Sequence, residues 1–104
     1  MHHYMRYTYF NDGPLETNCK PGKGAEFVAL LSAALVDTRA RHGAGAMEPY
    51  VDSDNPDRVL VWEKWATRAD QESYVQWRTE TGFVEALEPF LAEPPRILHL
   101  NESK

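Results

Sequence analysis

The sequence predicts an α+β domain in the order β-α-β-β-α-β, with one antiparallel sheet and its helices on a single face. Three observations carry that prediction. An amphipathic helical stretch runs from about Glu26 to His42, with Phe27, Leu30, Leu31, Ala34 and Leu35 at helical spacing. Two strand-like segments, Ala46–Asp52 and Arg58–Trp65, are joined closely enough to form a hairpin. A second helical segment is followed by a short apolar strand. At 104 residues the chain holds one domain with one core.

Taken in order, Tyr4–Phe10 is rich in aromatic and β-favouring residues and is expected as a strand preceding the core fold. Asn11-Asp12-Gly13-Pro14 is a turn signal, and Leu15–Cys19 follows as the first core strand. The expected organisation is thus an extension at residues 1–14 and a domain at 15–101. Lys20-Pro21-Gly22-Lys23-Gly24 breaks the strand ahead of the first helix. Glu26 near its start and Arg39, Arg41 and His42 near its end match the helix dipole, and Gly43 is a suitable left-handed stop.

Pro49 removes a ladder donor, so Ala46–Asp52 belongs at a sheet edge or carries a bulge. Asp54-Asn55-Pro56-Asp57 connects it to Arg58–Trp65. Thr67 is a suitable N-cap for a helix through Arg78. Gly82 interrupts, and Phe83, Val84 and Leu87 form a further amphipathic piece that Pro89 disfavours beyond Glu88. Pro94-Pro95 ends helical structure, and Arg96–Leu100 is the last strand. The result is a ferredoxin-like βαββαβ sandwich. In Arg58–Trp65 the alternation sends Val59 and Val61 one way, Leu60 and Trp62 the other. Two apolar sheet faces with helices for one imply a second sheet, most simply that of an identical subunit.

Composition excludes several classes. The chain is 42% hydrophobic with a formal net charge of -5, and its 11 Lys and Arg residues are scattered. A nucleic-acid surface would need a concentrated basic patch. A lone cysteine, Cys19, forms no internal disulfide and reads as a buried small hydrophobe. The first residues lack the apolar run of a signal peptide, and no stretch reaches membrane-spanning length, so a cytoplasmic protein is expected. No His/Cys/Asp/Glu cluster has metal-ligand spacing, and His2-His3 alone defines no coordination geometry. Gly22-x-Gly24 and Gly43-x-Gly45 lack the context of a dinucleotide loop, and no nucleophile elbow is present.

Lys20-Pro21-Gly22-Lys23 before a long helix resembles the start of the antibiotic biosynthesis monooxygenase domain. So does Asp54-Asn55-Pro56-Asp57-Arg58 leading into Trp62-Glu63-Lys64-Trp65, and most specifically Glu63-x-Trp65 followed by a helix at Arg68–Arg78. The resemblance covers residues 15 to 101. It implies a dimeric α/β barrel built from two ferredoxin-like sheets, and a family that holds cofactor-free oxygenases of polycyclic or quinol-like aromatics, heme-degrading enzymes and members without established activity.

An oxygenase without flavin or metal needs an electron-rich substrate that is deprotonated and itself reduces oxygen. The protein then supplies a dry cavity, orienting hydrogen bonds and one base. Phe27, Trp62, Trp65, Tyr74, Trp77 and Phe83 are the aromatics expected between helices and sheet, as walls for a small aromatic ligand. Each taken singly reads first as core filling, and the set together reads better as a pocket lining than any one member does. Arg78 would hydrogen-bond a phenolate or quinone oxygen, or serve as a solvated helix-end cation. His99, expected in a buried strand, would be a base, a hydrogen-bonded core histidine or a residue lying against the partner subunit. Glu63 is expected on the opposite face from Trp62; buried there it would need a partner such as an Arg, within the chain or across the dimer, and a structural ion pair is the reading placed ahead of catalysis.

The heme-degrading branch is disfavoured. Its enzymes resemble one another in a second-helix tryptophan with a heme-ligating histidine ten residues on. Trp77 fits the first position but Leu87 occupies the second, His42 lies at the end of the other helix, and Asn18 stands too near the Lys-Pro-Gly turn to match the strand asparagine. Two readings remain: a cofactor-independent monooxygenase of small aromatics, and a non-catalytic dimeric module that binds a small ligand or stabilises a pathway assembly. An open cavity favours the first or ligand binding; a cavity collapsed on its tryptophans favours a structural role.

Overall fold

The structure, a computed structural model, describes residues 11–100. The strand expected at Tyr4–Phe10 lies outside the described residues. The elements are β1 (Asn11–Asn18), α1 (Gly24–Arg39), β2 (Ala44–Asp52), β3 (Asn55–Trp65), α2 (Arg68–Glu80), α3 (Phe83–Leu87), a 3-10 turn at Glu88–Phe90, and β4 (Arg96–Ile97). They form one sheet in the order β2-β3-β1-β4, with every neighbouring pair antiparallel. This is the α+β, ferredoxin-like arrangement that the order of elements predicts.

Two local expectations need correction. Asn11–Pro14 is not a turn: it is extended and opens β1, pairing with Trp65 through Trp62. Eleven-residue β3 presents a long row of backbone groups there, and pairing them outweighs the local turn preference. Gly13 serves close approach instead, since a Cβ there would collide with the Leu98 carbonyl, while the Leu98 N–H donates to the Pro14 carbonyl at 3.0 Å. The last strand is also shorter than expected: among the described residues its paired run is Arg96–Ile97, with Leu100 a separate bridge.

α1 buries Phe27, Leu31, Leu35 and Thr38, one stripe along the helix. Its N-terminus is held from far away in sequence: the Asp57 carboxylate accepts from the backbone N–H of Gly24 at 2.9 Å and Gly22 at 3.1 Å. That contact fixes α1 against the start of β3 and puts a negative charge at the positive end of the helix dipole. α2 begins at Thr67, whose hydroxyl accepts from the Asp70 N–H at 3.0 Å. Gly82, at φ +81°, turns the chain sharply into α3.

β2 is an edge strand with register shifts on both sides of Pro49, the placement its missing donor requires. On β3, Val59, Val61, Glu63 and Trp65 face the helices and are buried, whereas Trp62 is 39% exposed. The core gathers Phe27, Leu31, Leu35, Met47, Val59, Val61, Trp65, Leu87 and Leu91 on that helix side, with Cys19 among them. Burial, reinforced by the nearby Asp57 charge, pushes the Cys19 thiol up, which keeps it protonated and unreactive. Among the described residues no helix is long and apolar enough to cross a membrane.

Candidate functional site

Between α1, α2, α3 and the helix-side face of the sheet lies a cavity of about 250 Å³. Leu31, Leu35, Val61, Phe83 and Leu87 make its apolar wall. Five polar side chains line it: Thr38 from α1, Glu63 from β3, and Tyr74, Arg78 and Thr79 from α2.

Arg78 is only 9% exposed. Its Nε donates to the Tyr74 hydroxyl at 2.9 Å, and one Nη2 serves both the Ala34 carbonyl at 2.9 Å and Thr38 Oγ1 at 3.2 Å. The remaining hydrogens can be placed by counting. The Thr38 hydroxyl donates to the Ala34 carbonyl at 3.2 Å, so the 2.7 Å Tyr74–Thr38 contact uses the tyrosine proton. Aromatic faces enclose the guanidinium, with ring centres 4.3 Å away at Phe83 and 4.5 Å at Trp77. Among the described residues no carboxylate lies within ion-pair distance of it. A cation withdrawn from water without a counter-charge is normally destabilising; here the hydrogen bonds to Tyr74, Ala34 and Thr38 and the aromatic faces offset part of that cost.

Glu63 is equally buried. The ion pair expected for it is absent among the described residues; instead Trp65 Nε1 donates to Oε1 at 2.9 Å and Gln71 Nε2 to the same oxygen at 3.5 Å. Strand alternation is the reason. Residues two apart share a face, so the Glu-x-Trp spacing itself brings carboxyl and indole together. Burial pushes the Glu63 carboxyl above the ordinary glutamate range, with the two hydrogen bonds partly opposing it. That spacing was the signal by which the sequence could have placed Glu63 inside.

The expected site residues divide accordingly. Tyr74, Arg78 and Phe83 meet at the cavity. Trp65 is fully buried beneath it, its ring 5.1 Å from Tyr74, and Phe27 fills the core against Phe90 at 6.2 Å. Trp77 stacks outside, between Arg78 and Arg41, the latter at 4.4 Å. Trp62 stands on the opposite face of the sheet, because it alternates with the inward Val61 and Glu63. His99 is exposed in the single chain, not buried as expected: β4 ends at Ile97, and His99 lines a separate hollow with Gln71, Val75, Gln76 and Ile97. Among the described residues no three His, Cys, Asp or Glu side chains group to hold a metal ion.

A family model for antibiotic biosynthesis monooxygenase matches residues 16–88, from β1 through α3, and so spans every element that builds the cavity except β4. The chain belongs to the antibiotic biosynthesis monooxygenase family. Solved structures agree in fold. A conserved protein from Methanosarcina mazei Go1 superposes with a TM-score of 0.82 at 17% identity, covering 96% of this chain and 99% of its own. A structure described as an antibiotic biosynthesis monooxygenase gives 0.79 at 16% identity, over 90% of this chain and 99% of its own. A Pseudomonas aeruginosa protein gives 0.78 at 18%, over 90% and 94%. At such identities these likenesses speak to the fold of the family and not to its chemistry. No curated protein sequence matches the chain.

Proposed function

We propose that this member of the antibiotic biosynthesis monooxygenase family is a cofactor-independent monooxygenase that oxidises a small aromatic or quinol-like substrate in the cavity beside Arg78. One observation carries the reading: a buried guanidinium, with no carboxylate within ion-pair distance among the described residues, stands at the wall of a largely apolar cavity. An electron-rich phenol or enol is the occupant this suits. Its ring is matched by the Leu31, Leu35, Phe83 and Leu87 walls, and its oxygen, once anionic, by Arg78.

The chemistry balances without a cofactor. A substrate anion gives an electron to O₂, the radical pair joins through a new C–O bond, and loss of water from the hydroperoxide leaves a carbonyl. One oxygen atom enters the product and the other leaves as water, so the substrate supplies all the electrons. The chain's part is to stabilise the anion and exclude water.

Oxygen uptake with a panel of quinols and anthrone-like substrates tests this. Turnover above background is expected, and Arg78→Met should abolish it while circular dichroism stays native. A folded protein that turns over none of them would defeat the oxygenase reading. Tight binding of an aromatic with no uptake would support the alternative, a ligand-binding module. We also propose that the chain is a homodimer, joined through the sheet face opposite the helices, where Trp62 and Tyr50 are exposed.

A further inference from the structure

We infer that Glu63 is the proton acceptor of the cavity: its carboxylate takes the acidic proton of a phenolic or enolic occupant, and the oxyanion so formed rests on the Arg78 guanidinium. This deepens the oxygenase reading and rests on it only for the class of occupant.

The geometry leaves few other groups for the task. Besides Glu63, the titratable or charged side chains that line the cavity are Tyr74 and Arg78, both from α2. Tyr74 is committed, because its proton goes to Thr38 and its oxygen accepts from Arg78. The Arg78 guanidinium offers donors and no acceptor for a proton. His99 opens onto a different hollow, lined by Gln71, Glu72, Val75, Gln76 and Ile97. Glu63 has no cation within ion-pair distance among the described residues, as a purely structural buried carboxylate would require. Both of its donors converge on Oε1, which leaves Oε2 as the oxygen for an occupant.

The step moves one proton and no electrons. The substrate O–H bond breaks, a carboxyl O–H bond forms on Glu63, and the negative charge passes from Glu63 to the substrate oxygen. No net charge is created in the largely apolar cavity. The charge simply moves from a carboxylate lacking a cation to an oxyanion beside one, which favours transfer in a low dielectric. Burial of Glu63 works in the same direction, because a more basic carboxylate lies closer to the ordinary phenol range near ~10.

The test uses the whole chain with 4-nitrophenol, which is yellow only as the phenolate, in the absence of oxygen. Below the probe's own pKa the wild type should bind it and raise the yellow form. Glu63→Gln should bind it without that rise. An equal rise in Glu63→Gln, or failure of the wild type to bind or ionise the probe, would overturn the assignment. Should the variant not fold, infrared difference spectra of the wild type decide: a new protonated-carboxyl band on binding is expected, and its absence counts against Glu63.

With an oxidised substrate in hand, Glu63→Gln should cut oxygen uptake by about 10² or more. Uptake should also fall in the wild type as pH drops through the Glu63 titration, and that limb should vanish in the variant. Probe ionisation without any oxygen uptake defeats the oxygenase reading alone. Uptake indifferent to Glu63→Gln defeats the present assignment alone.

Discussion

Individual side chains in this protein take their chemistry from neighbours remote in sequence. Arg78 was readable as a helix-end cation, and its place on the helix is as the dipole would have it; that it points inward, against Ala34 and Thr38 of α1, depends on how two helices pack. A lysine would keep the charge but not the fork that reaches Tyr74, Ala34 and Thr38 together. Arg78→Lys is therefore expected to weaken 4-nitrophenolate binding about tenfold, measured by titration, and unchanged affinity would argue against a bidentate or enclosed role. For Glu63 the consequence is a pH-dependent stability. Its folded pKa is raised, so between the ordinary glutamate value and that higher value the folded chain holds a proton the unfolded chain has lost. The stabilisation is full below the ordinary value, near ~4.3, and is lost as pH rises through the window. Glu63→Gln should remove that decline and be the more stable protein above the window, as melting temperature against pH would show; parallel curves would contradict it.

Among the elements, the two helix starts differ in how they are made. α2 carries its own cap, Thr67, in the sequence. Thr67→Ala is expected to lower stability by about 1 kcal/mol in urea unfolding. α1 lacks a side-chain cap from Lys23 and borrows Asp57 from β3, so its start depends on the tertiary fold. Gly24 is buried in that junction, where a Cβ would strike the Pro56 carbonyl. Gly24→Ala should cost about 1–3 kcal/mol by overpacking, although alanine is the better helix former. A stabilised Gly24→Ala protein would show the junction to be slack. At this scale the sequence was informative wherever the signal is local, as in the periodicity of α1, the Thr67 cap and the edge position forced by Pro49. It misled at Asn11–Pro14, where turn-forming residues are drawn into β1 by the unpaired length of β3.

At the scale of the whole molecule, the sheet has one face closed by helices and one open. The open face carries Trp62 and Tyr50, and near them Arg58 spans Glu16 at 3.8 Å and Asp52 at 3.6 Å. Those three charges are on the same face, since Arg58, Glu16 and Asp52 alternate with the inward residues of their strands. If two copies meet there, Trp62→Glu places an uncompensated charge at the centre of the contact. Sedimentation of the wild type should give a dimer and of Trp62→Glu a monomer, with the helix-side cavity still binding 4-nitrophenol. A monomeric wild type at all concentrations would refute the dimer.

By itself the sequence determined the order of elements, the antiparallel sheet with helices on one side, the opposite facing of Glu63 and Trp62, and the family that Lys20–Lys23 and Glu63-x-Trp65 resemble. The first three follow from periodicity and local chemistry, which operate within a few residues, and the last rests on the resemblance of those motifs. Only the tertiary structure decided which aromatics reach the cavity, that Arg78 is buried with no carboxylate within ion-pair distance among the described residues, that His99 lines a different hollow, and that Glu63 meets Trp65 and Gln71. Those outcomes depend on which surfaces of separate elements are pressed together, and the cavity exists only where α1, α2, α3 and the sheet fail to meet completely.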